Sequence, residues 1–211
     1  MDDGIHTLAY GHKDLGLFVD RNLSFRSHIH SLILRAYAFI NRIFRSFRSR
    51  NASFLLKVFC VYVRPLLEYA SPIWNPTKRS LVEKLERVQM YFIARAYDTP
   101  LKEENYSDFL RQIRIPSLEQ RRLATDLLYL YKMVNGVFRG NCCPELKLSI
   151  TRGSETKFVI PGNYGKRRKS SFVVRSCLLW NKLPTEVTSS RTVKEFRSRV
   201  FSLELARFVR N

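Results

Sequence analysis

The chain has 211 residues, of which 45% are hydrophobic, so it can bury a core as one domain or as a domain with a small second one. This composition excludes a globally disordered protein, and no apolar run approaches the roughly 20 residues that a membrane-spanning helix needs. The net charge of +19 predicts a polyanionic partner, for which nucleic acid is the leading candidate. An anionic membrane surface fits less well, because the helices with basic faces also carry full core faces.

The amino-terminal residues and the cysteines indicate the compartment. Residues 1–4 contain neither the basic region nor the apolar stretch of a signal peptide. Cys60, Cys142, Cys143 and Cys177 include no C-x-x-C pair, and all four histidines precede them, so no zinc site is expected. We therefore expect reduced thiols, no metal, no cofactor, and an intracellular location, nuclear or cytoplasmic.

The first predicted elements are a short strand over residues 15–19 and an amphipathic helix over residues 29–47. Apolar residues recur in this helix at i, i+3 and i+4 spacing, which places them on one face. Ser24 or Ser27 is expected to cap the helix. Arginines lie on the opposite face, away from the expected core.

Basic residues in this region have no acidic counterparts. From Arg21 to Leu67 the chain has nine Lys or Arg and no Asp or Glu, and residues 156–185 have seven bases and no acid. A solvated surface normally mixes the two signs, so these stretches indicate faces that bind phosphates, although a merely soluble basic face also fits each stretch taken alone. The candidate phosphate contacts of the first stretch are Arg35, Arg42, Arg45 and Arg48.

The next segment predicts a buried helix followed by a rigid turn. Residues 54–63 are apolar on almost every side, so a helix there is expected to be buried. Pro65 has no N–H group and should kink or end that helix near Arg64. Residues 72–76 contain two prolines and predict an irregular turn, which Trp74 is expected to pin in the core.

Three further helices are predicted before the C-terminal region. Ser80 and Glu83 have the spacing of a capping box at the start of a return helix. A short helix is expected over residues 106–113. A longer one is expected over residues 117–134, and Asn135-Gly136 should end it.

The C-terminal region is expected to mix strands and helices. Residues 157–160 and 171–174 predict short strands, and residues 177–182 predict a helix that places Trp180 in the core. A last helix should begin at a capping box formed by Thr192 and Glu195.

A loop rich in glycine and proline is expected over residues 140–165, with a domain boundary near Gly140. A basic run directly follows and is also expected to be a loop. It is a nuclear localisation signal, a phosphate contact or a solvated basic loop, and the residue types alone do not choose between these. Its residues are Lys166, Arg167, Arg168 and Lys169.

Four blocks of residues carry a resemblance to a known family. They are VRPLLEYASPIWNP at 63–76, IPSLEQRRL at 115–123, YKMVNG at 131–136, and a last block with Phe172, Arg175, WNKLP at 180–184 and Phe196. In this order the blocks resemble the region downstream of the polymerase active site in reverse transcriptases of jockey-like non-LTR retrotransposons. The resemblance covers nearly the whole chain.

The resemblance implies a chain without a catalytic centre. A reverse transcriptase holds two Mg²⁺ ions with paired aspartates, which the family carries in an aromatic-Ala-Asp-Asp hairpin. Asp2-Asp3 follows no apolar strand and lies too close to the Asp14-Leu15-Gly16 run to match that hairpin. We therefore expect no catalytic residue, and a chain that begins downstream of the active site.

The expected fold is mainly α, with a thumb-like helical bundle and a small basic α+β C-terminal module. The expected division is a tail at residues 1–13, a palm-end strand and thumb-like helical domain at residues 14–139, and the basic module at residues 140–211. The expected function is that of a C-terminal fragment of a retrotransposon RNA-directed DNA polymerase, which lacks the catalytic palm aspartates.

The expected partner is RNA or DNA, either a template–primer duplex or the RNA of the element. Phosphate neutralisation reads shape rather than sequence, so no base preference is expected. A basic nucleic-acid-binding module that a host has reused and an inert product of a decayed element are the alternatives. No membrane and no small-molecule substrate are expected, and the sequence does not determine the oligomeric state.

Overall fold

The computed structural model describes residues 11–49, 51–137, 157–160 and 165–210. The described chain is mainly helical, which confirms the predicted fold class, with one small antiparallel sheet near its beginning. The chain forms two compact units. Unit 1 contains Met1–Ala70 and Pro76–Leu118, and unit 2 contains Ser71–Asn75 and Glu119–Asn211.

Unit 1 begins with a hairpin rather than the single predicted strand. Strand β1 is His12–Asp14 and strand β2 is Leu17–Val19, paired antiparallel. The turn between them places Leu15 and Gly16 at positive φ, 44° and 85°. Glycine adopts such angles without strain, so Gly16 ends the first strand where periodicity alone predicted a continuous one.

Helix α1 is Arg26–Ser46, and its apolar face is buried as predicted. The predicted serine caps are wrong: the N-cap residue is Phe25, and no side chain caps it. Instead the Asp20 carboxylate accepts hydrogen bonds from the backbone N–H of Ser24 at 3.0 Å and of Phe25 at 2.8 Å. The Asp20 carboxylate thus satisfies backbone donors that follow it in the chain, just before the helix begins.

The apolar segment after α1 continues through Pro65 instead of ending at Arg64. Helix α2 is Ala52–Val58, a π-helical turn spans Phe59–Val63, and helix α3 is Arg64–Glu68. The Arg64 N–H donates to the carbonyl of Phe59, five residues back. This wider turn makes room for the proline ring and needs no N–H from it, which explains why the helix does not stop.

The prediction that residues 54–63 are buried on almost every side is wrong. Leu55, Phe59 and Val63 are buried, whereas Phe54 and Tyr62 are exposed. One face of the segment therefore packs in the core, and the other presents aromatic side chains to solvent.

The return helix α5 is Arg79–Tyr97, and helix α6 is Glu103–Gln112. The predicted capping box at the start of α5 is wrong, because its N-cap is Lys78 without a side-chain cap and Glu83 pairs with Arg79 at 2.9 Å. In the core, the Phe92 ring lies 5.2 Å from the ring of Phe44 and 4.7 Å from that of Phe59, between centroids.

Unit 2 contains one short helix from the middle of the chain and several from its C-terminal part. The described elements are α4 Ser71–Trp74, α7 Leu118–Val134, α8 Lys166–Lys169, α9 Phe172–Trp180, α10 Thr185–Thr188, α11 Val193–Ser202 and α12 Leu205–Arg210. Gly136 follows α7 at φ 64°, as expected of a helix that glycine ends.

The core of unit 2 is built around stacked aromatic rings. The Tyr131 ring stacks on Phe196 with centroids 4.4 Å apart, and Trp180 stacks on Phe196 at 5.4 Å. Trp74 and Trp180 are buried, which confirms the prediction that both are core residues. Thr192 caps α11 by accepting from the N–H of Glu195, again as predicted.

Two expectations for the C-terminal region differ from the structure. Residues 172–174 belong to helix α9, with Ser171 as its N-cap, rather than to a strand, and Lys166–Lys169 forms one helical turn, α8, rather than a loop. The predicted boundary at Gly140 lies outside the described residues; the two units divide after Leu118, and α7 packs with α9 and α11 in one core. Among residues 157–160 and 165–210, Phe158 alone has a strand-like bridge.

Candidate nucleic-acid interface

Helix α1 presents three of the predicted arginines on its outer side. Arg35, Arg42 and Arg45 are exposed, and Arg48 is exposed just beyond the helix end. Arg35 and Arg42 lie two turns apart, about 10 Å along the axis, and Arg45 extends the series to about 15 Å. The helix therefore places a row of guanidinium groups along one side.

The outward direction of these arginines is fixed by packing on the opposite face. Ile29, Leu32, Ala36 and Ile40 of α1 are each at most 3% exposed, at i, i+3 and i+4 spacing. Rotating the helix to hide the arginines would bring these side chains into water, which costs about 1.5–3 kcal/mol for each large one.

Among the described residues, no carboxylate pairs with the arginine row. Within residues 11–49 and 51–137, none of Arg35, Arg42, Arg45 and Arg48 forms an ion pair. Arg42 contacts an aromatic ring: its guanidinium lies 5.2 Å from the ring centroid of Phe39. Other arginines of unit 1 are paired, for example Arg87 with Glu103 at 2.9 Å. The charge of the row is thus available to an external anion.

The second predicted cluster lies in unit 2, on the short helix α8. Arg168 and Lys169 are exposed. Lys166 and Arg167 belong to the same turn, but their side chains lie outside the described residues. The two predicted clusters therefore occupy different units of the chain.

A third set of residues, which the sequence did not predict, lies beside the arginine row where α1 meets α5. Arg95 donates to the amide oxygen of Asn41 at 3.1 Å, and its guanidinium lies 4.3 Å from the ring centroid of Phe44. The Tyr91 hydroxyl contacts the same amide oxygen at 3.3 Å. Helical spacing could not reveal this set, because its members come from two helices about 50 residues apart.

His28 is a buried residue at the start of α1. It is 2% exposed, and its Nδ1 accepts from the backbone N–H of Phe18 at 3.3 Å, which ties β2 to α1. Burial, and then the positive charge of Arg35, lower the pKa of His28. The imidazole is therefore a structural acceptor.

A buried polar network lies inside unit 2. Asp126 accepts from Arg175 Nε at 2.9 Å and Nη2 at 3.1 Å, and from the Asn75 amide at 2.8 Å. Arg122 Nε donates to the Asn75 oxygen at 3.2 Å, and Arg175 also donates to the carbonyl of Pro72. Burial raises the pKa of Asp126, and the Arg175 charge and both hydrogen-bond partners oppose that rise.

Residues from the blocks that carry the family resemblance meet in this interior. Asn75, Arg122 and Arg175 come from three different blocks and share the network. Asn181, from the last block, holds the backbone of Phe158 with two hydrogen bonds of 2.8 Å. These blocks therefore specify packing, and the chemistry available to a ligand is that of exposed basic and aromatic side chains.

The described residues offer no metal site. Within residues 11–49, 51–137, 157–160 and 165–210, no three His, Cys, Asp or Glu side chains form a ligand set. Asp2-Asp3 lies outside this part of the chain. None of the helices described here combines the length and the hydropathy of a segment that crosses a bilayer.

Comparison with known proteins gives one relative. An uncharacterized protein of Caenorhabditis elegans is 30% identical over 127 residues, which are 60% of this chain and 64% of that protein. The chain thus spans a little under two thirds of the relative's length. No family model matches the sequence, and no solved structure matches it.

Proposed function

We propose that the chain is the thumb and post-thumb part of a non-LTR retrotransposon reverse transcriptase, without the catalytic aspartates, and that it binds nucleic acid through the arginine row of α1. The observation that carries the binding proposal is the row itself: exposed guanidinium groups along one side of α1 and just beyond its end, with no carboxylate partner among the described residues of unit 1. Such a row matches a line of phosphates.

The reverse-transcriptase part of the proposal is supported by the order of the resembling blocks. The proposed location is intracellular, nuclear or cytoplasmic, where nucleic acid is available. The partner is a template–primer duplex or the RNA of the element, recognised by its backbone because phosphate contacts carry no sequence information.

The binding proposal is tested by the salt dependence of duplex affinity, measured by fluorescence anisotropy. Each phosphate contact contributes about 0.9 to the slope of log affinity against log salt for B-form DNA. Replacing Arg35, Arg42 and Arg45 together with alanine should therefore reduce the slope by about 2.7. Replacing Lys166, Arg167, Arg168 and Lys169 together tests in the same way whether the second cluster contributes.

A charge-matched control separates a binding face from a basic surface. Arg79, Arg87 and Arg111 are also exposed residues of unit 1, but each pairs with a carboxylate, at 2.9, 2.9 and 3.0 Å. Replacing these three with alanine removes the same number of charges and should leave the slope nearly unchanged. Equal losses in the two triple variants would contradict the proposal and favour an inert, merely solvated surface.

The chain should show no primer extension on an RNA template with Mg²⁺ or Mn²⁺ and deoxynucleotides. The physical reason is that extension needs carboxylates that hold two metal ions, and the part of the chain described here has no set of three or more His, Cys, Asp or Glu side chains that could hold a metal ion. Extension that copurifies with the chain through several columns would contradict this expectation.

A further inference from the structure

Unit 1 carries a row of exposed aromatic rings on the outer face of the helix that runs from α2 to α3. Phe54 is 40% exposed, Tyr62 is 58% exposed and Tyr69 is 57% exposed. The buried face of the same helix contains Leu55, Phe59, Val63 and Leu67. Large rings held at the surface of a well-packed helix indicate an interaction surface.

The π-helical turn is what aligns these rings. An α-helix completes two turns in about 7.2 residues, and one π-helical turn adds about one residue, so positions eight apart lie on one face across it. Phe54 and Tyr62 are eight residues apart, with Tyr62 inside the π-helical turn, and Tyr69, the C-cap residue of α3, follows seven residues later. The three rings therefore form one line, with Phe54 and Tyr62 about 10 Å apart along the axis.

The line begins next to the arginine row of α1. The Phe54 ring contacts the ring of Phe47 at 5.4 Å between centroids, and Phe47 directly precedes the exposed Arg48. Lys57 is exposed between Phe54 and Tyr62. The basic row and the aromatic line are therefore one continuous surface of unit 1.

Charge selects the occupant of this surface. Phe54 and Tyr62 lie in the stretch from Arg21 to Leu67, which has nine basic residues and no acid, so a polyanion is favoured over an apolar peptide. Phe54, Lys57 and Tyr62 are all exposed on this segment, and exposed aromatic and basic side chains together are the combination that holds bases and phosphates of single strands. Acids occur at the far end, where Glu68 precedes Tyr69.

We propose that the aromatic line formed by Phe54 and Tyr62 binds single-stranded nucleic acid by base stacking. The strand continues from nucleic acid whose phosphates lie on the α1 arginines, so this inference rests on the proposed function. Tyr69 closes the line: its hydroxyl donates to the carbonyl of Leu15 at 3.1 Å, which fixes its ring beside the hairpin. The preferred ligand is thus a duplex with a single-stranded extension.

The test compares a blunt duplex with the same duplex carrying a single-stranded extension of about 12 nucleotides, within the range of about 4–16 that such sites cover. Wild type should bind the extended form more tightly. Tyr62→Leu keeps apolar area but removes the ring, and with Phe54→Leu it should weaken binding of the extended form at least about fivefold, since stacking contributes roughly 1–3 kcal/mol per base. Blunt-duplex affinity and the salt slope should not change.

Two controls keep the result interpretable. Tyr62→Phe retains the ring and should bind like wild type. Tyr129→Leu removes a ring of unit 2 that is about as exposed as Phe54, 42% against 40%, and should also have no effect. Loss of duplex binding in the α1 triple variant alone tests the proposed function, whereas loss of the preference for the extended form tests the aromatic line.

Three outcomes would overturn the inference. Equal binding of blunt and extended duplexes by wild type would do so, and so would full retention of the preference in the double Leu variant. A chain mass that doubles with concentration in light scattering, and that Tyr62→Leu returns to the monomer value, would assign the line to contact between two copies instead.

Discussion

Replacing Arg175 with methionine should destabilise unit 2 strongly, because it removes one partner of a buried ion pair. The Arg175 side chain is 9% exposed and that of Asp126 is 1% exposed. The substitution deletes both guanidinium hydrogen bonds to the carboxylate, and it also deletes the bonds to the carbonyls of Ser170 and Pro72. Leaving one buried charge without its partner costs about 3–5 kcal/mol.

The assay for this prediction can observe unit 2 by itself. The chain contains two tryptophans, and both Trp74 and Trp180 belong to unit 2. Urea unfolding followed by tryptophan fluorescence therefore reports the free energy of unfolding of this unit. With a urea dependence of about 2 kcal/mol per M, the midpoint should fall by roughly 2 M.

Two comparisons test whether the buried network stabilises unit 2: a matched substitution of an exposed ion pair, and a double variant. Arg207→Met removes an exposed ion pair with Glu204 in the same unit and should cost at most about 1 kcal/mol. Adding Asp126→Asn to Arg175→Met removes the stranded charge, so the double variant should be more stable than the sum of the single effects predicts. If Arg175→Met costs no more than Arg207→Met, or if the single effects add, the network does not hold this core.

Two further predictions concern α1. Ile40→Asp should unfold or aggregate the chain, as measured by circular dichroism, because Ile40 is fully buried and an unpaired carboxylate there costs several kcal/mol. Arg42→Ala should change the free energy of unfolding by less than about 0.5 kcal/mol, because Arg42 is exposed. Opposite effects of the two substitutions would show that the helical register is wrong. His28 has a lowered pKa when folded, so the unfolded chain binds more protons below pH 6.5, and stability should fall with decreasing pH by at most about 1.4 kcal/mol per pH unit. His28→Asn should flatten that dependence in urea titrations at several pH values, and an unchanged dependence would contradict the assignment to His28.

Helices with a clear apolar periodicity could be predicted from the sequence, but the residues at which they begin and end could not. The apolar period of α1 gave its core face and the outward direction of Arg35 and Arg42. Its cap was missed because Asp20 acts from five residues before the N-cap Phe25, outside the usual spacing. The adjacent valines Val173 and Val174 suggested a strand, but packing in the unit 2 core holds them in a helix.

The exposed aromatic line could not be predicted from composition, because the type of an apolar residue does not show whether its side chain is buried or exposed. Burial of residues 54–63 was overestimated for this reason, and the π-helical turn that aligns Phe54 with Tyr62 changes the helical period itself. The buried network of Asp126 and Arg175 was missed as well, since its members lie 49 residues apart. Such juxtapositions depend on tertiary contacts that a one-dimensional pattern does not contain.

The segment Ser71–Asn75 has a consequence during translation. Trp74 and Asn75 leave the ribosome long before their partners in unit 2, and Arg175 follows Pro72 by 103 residues. At about 5–20 residues per second, this delay lasts roughly 5–20 s. Throughout that interval the Trp74 indole lacks its final surroundings, which makes the nascent chain a substrate for chaperones that bind apolar segments. A ribosome stalled before Arg175 would hold a chain in which unit 2 is not yet able to fold.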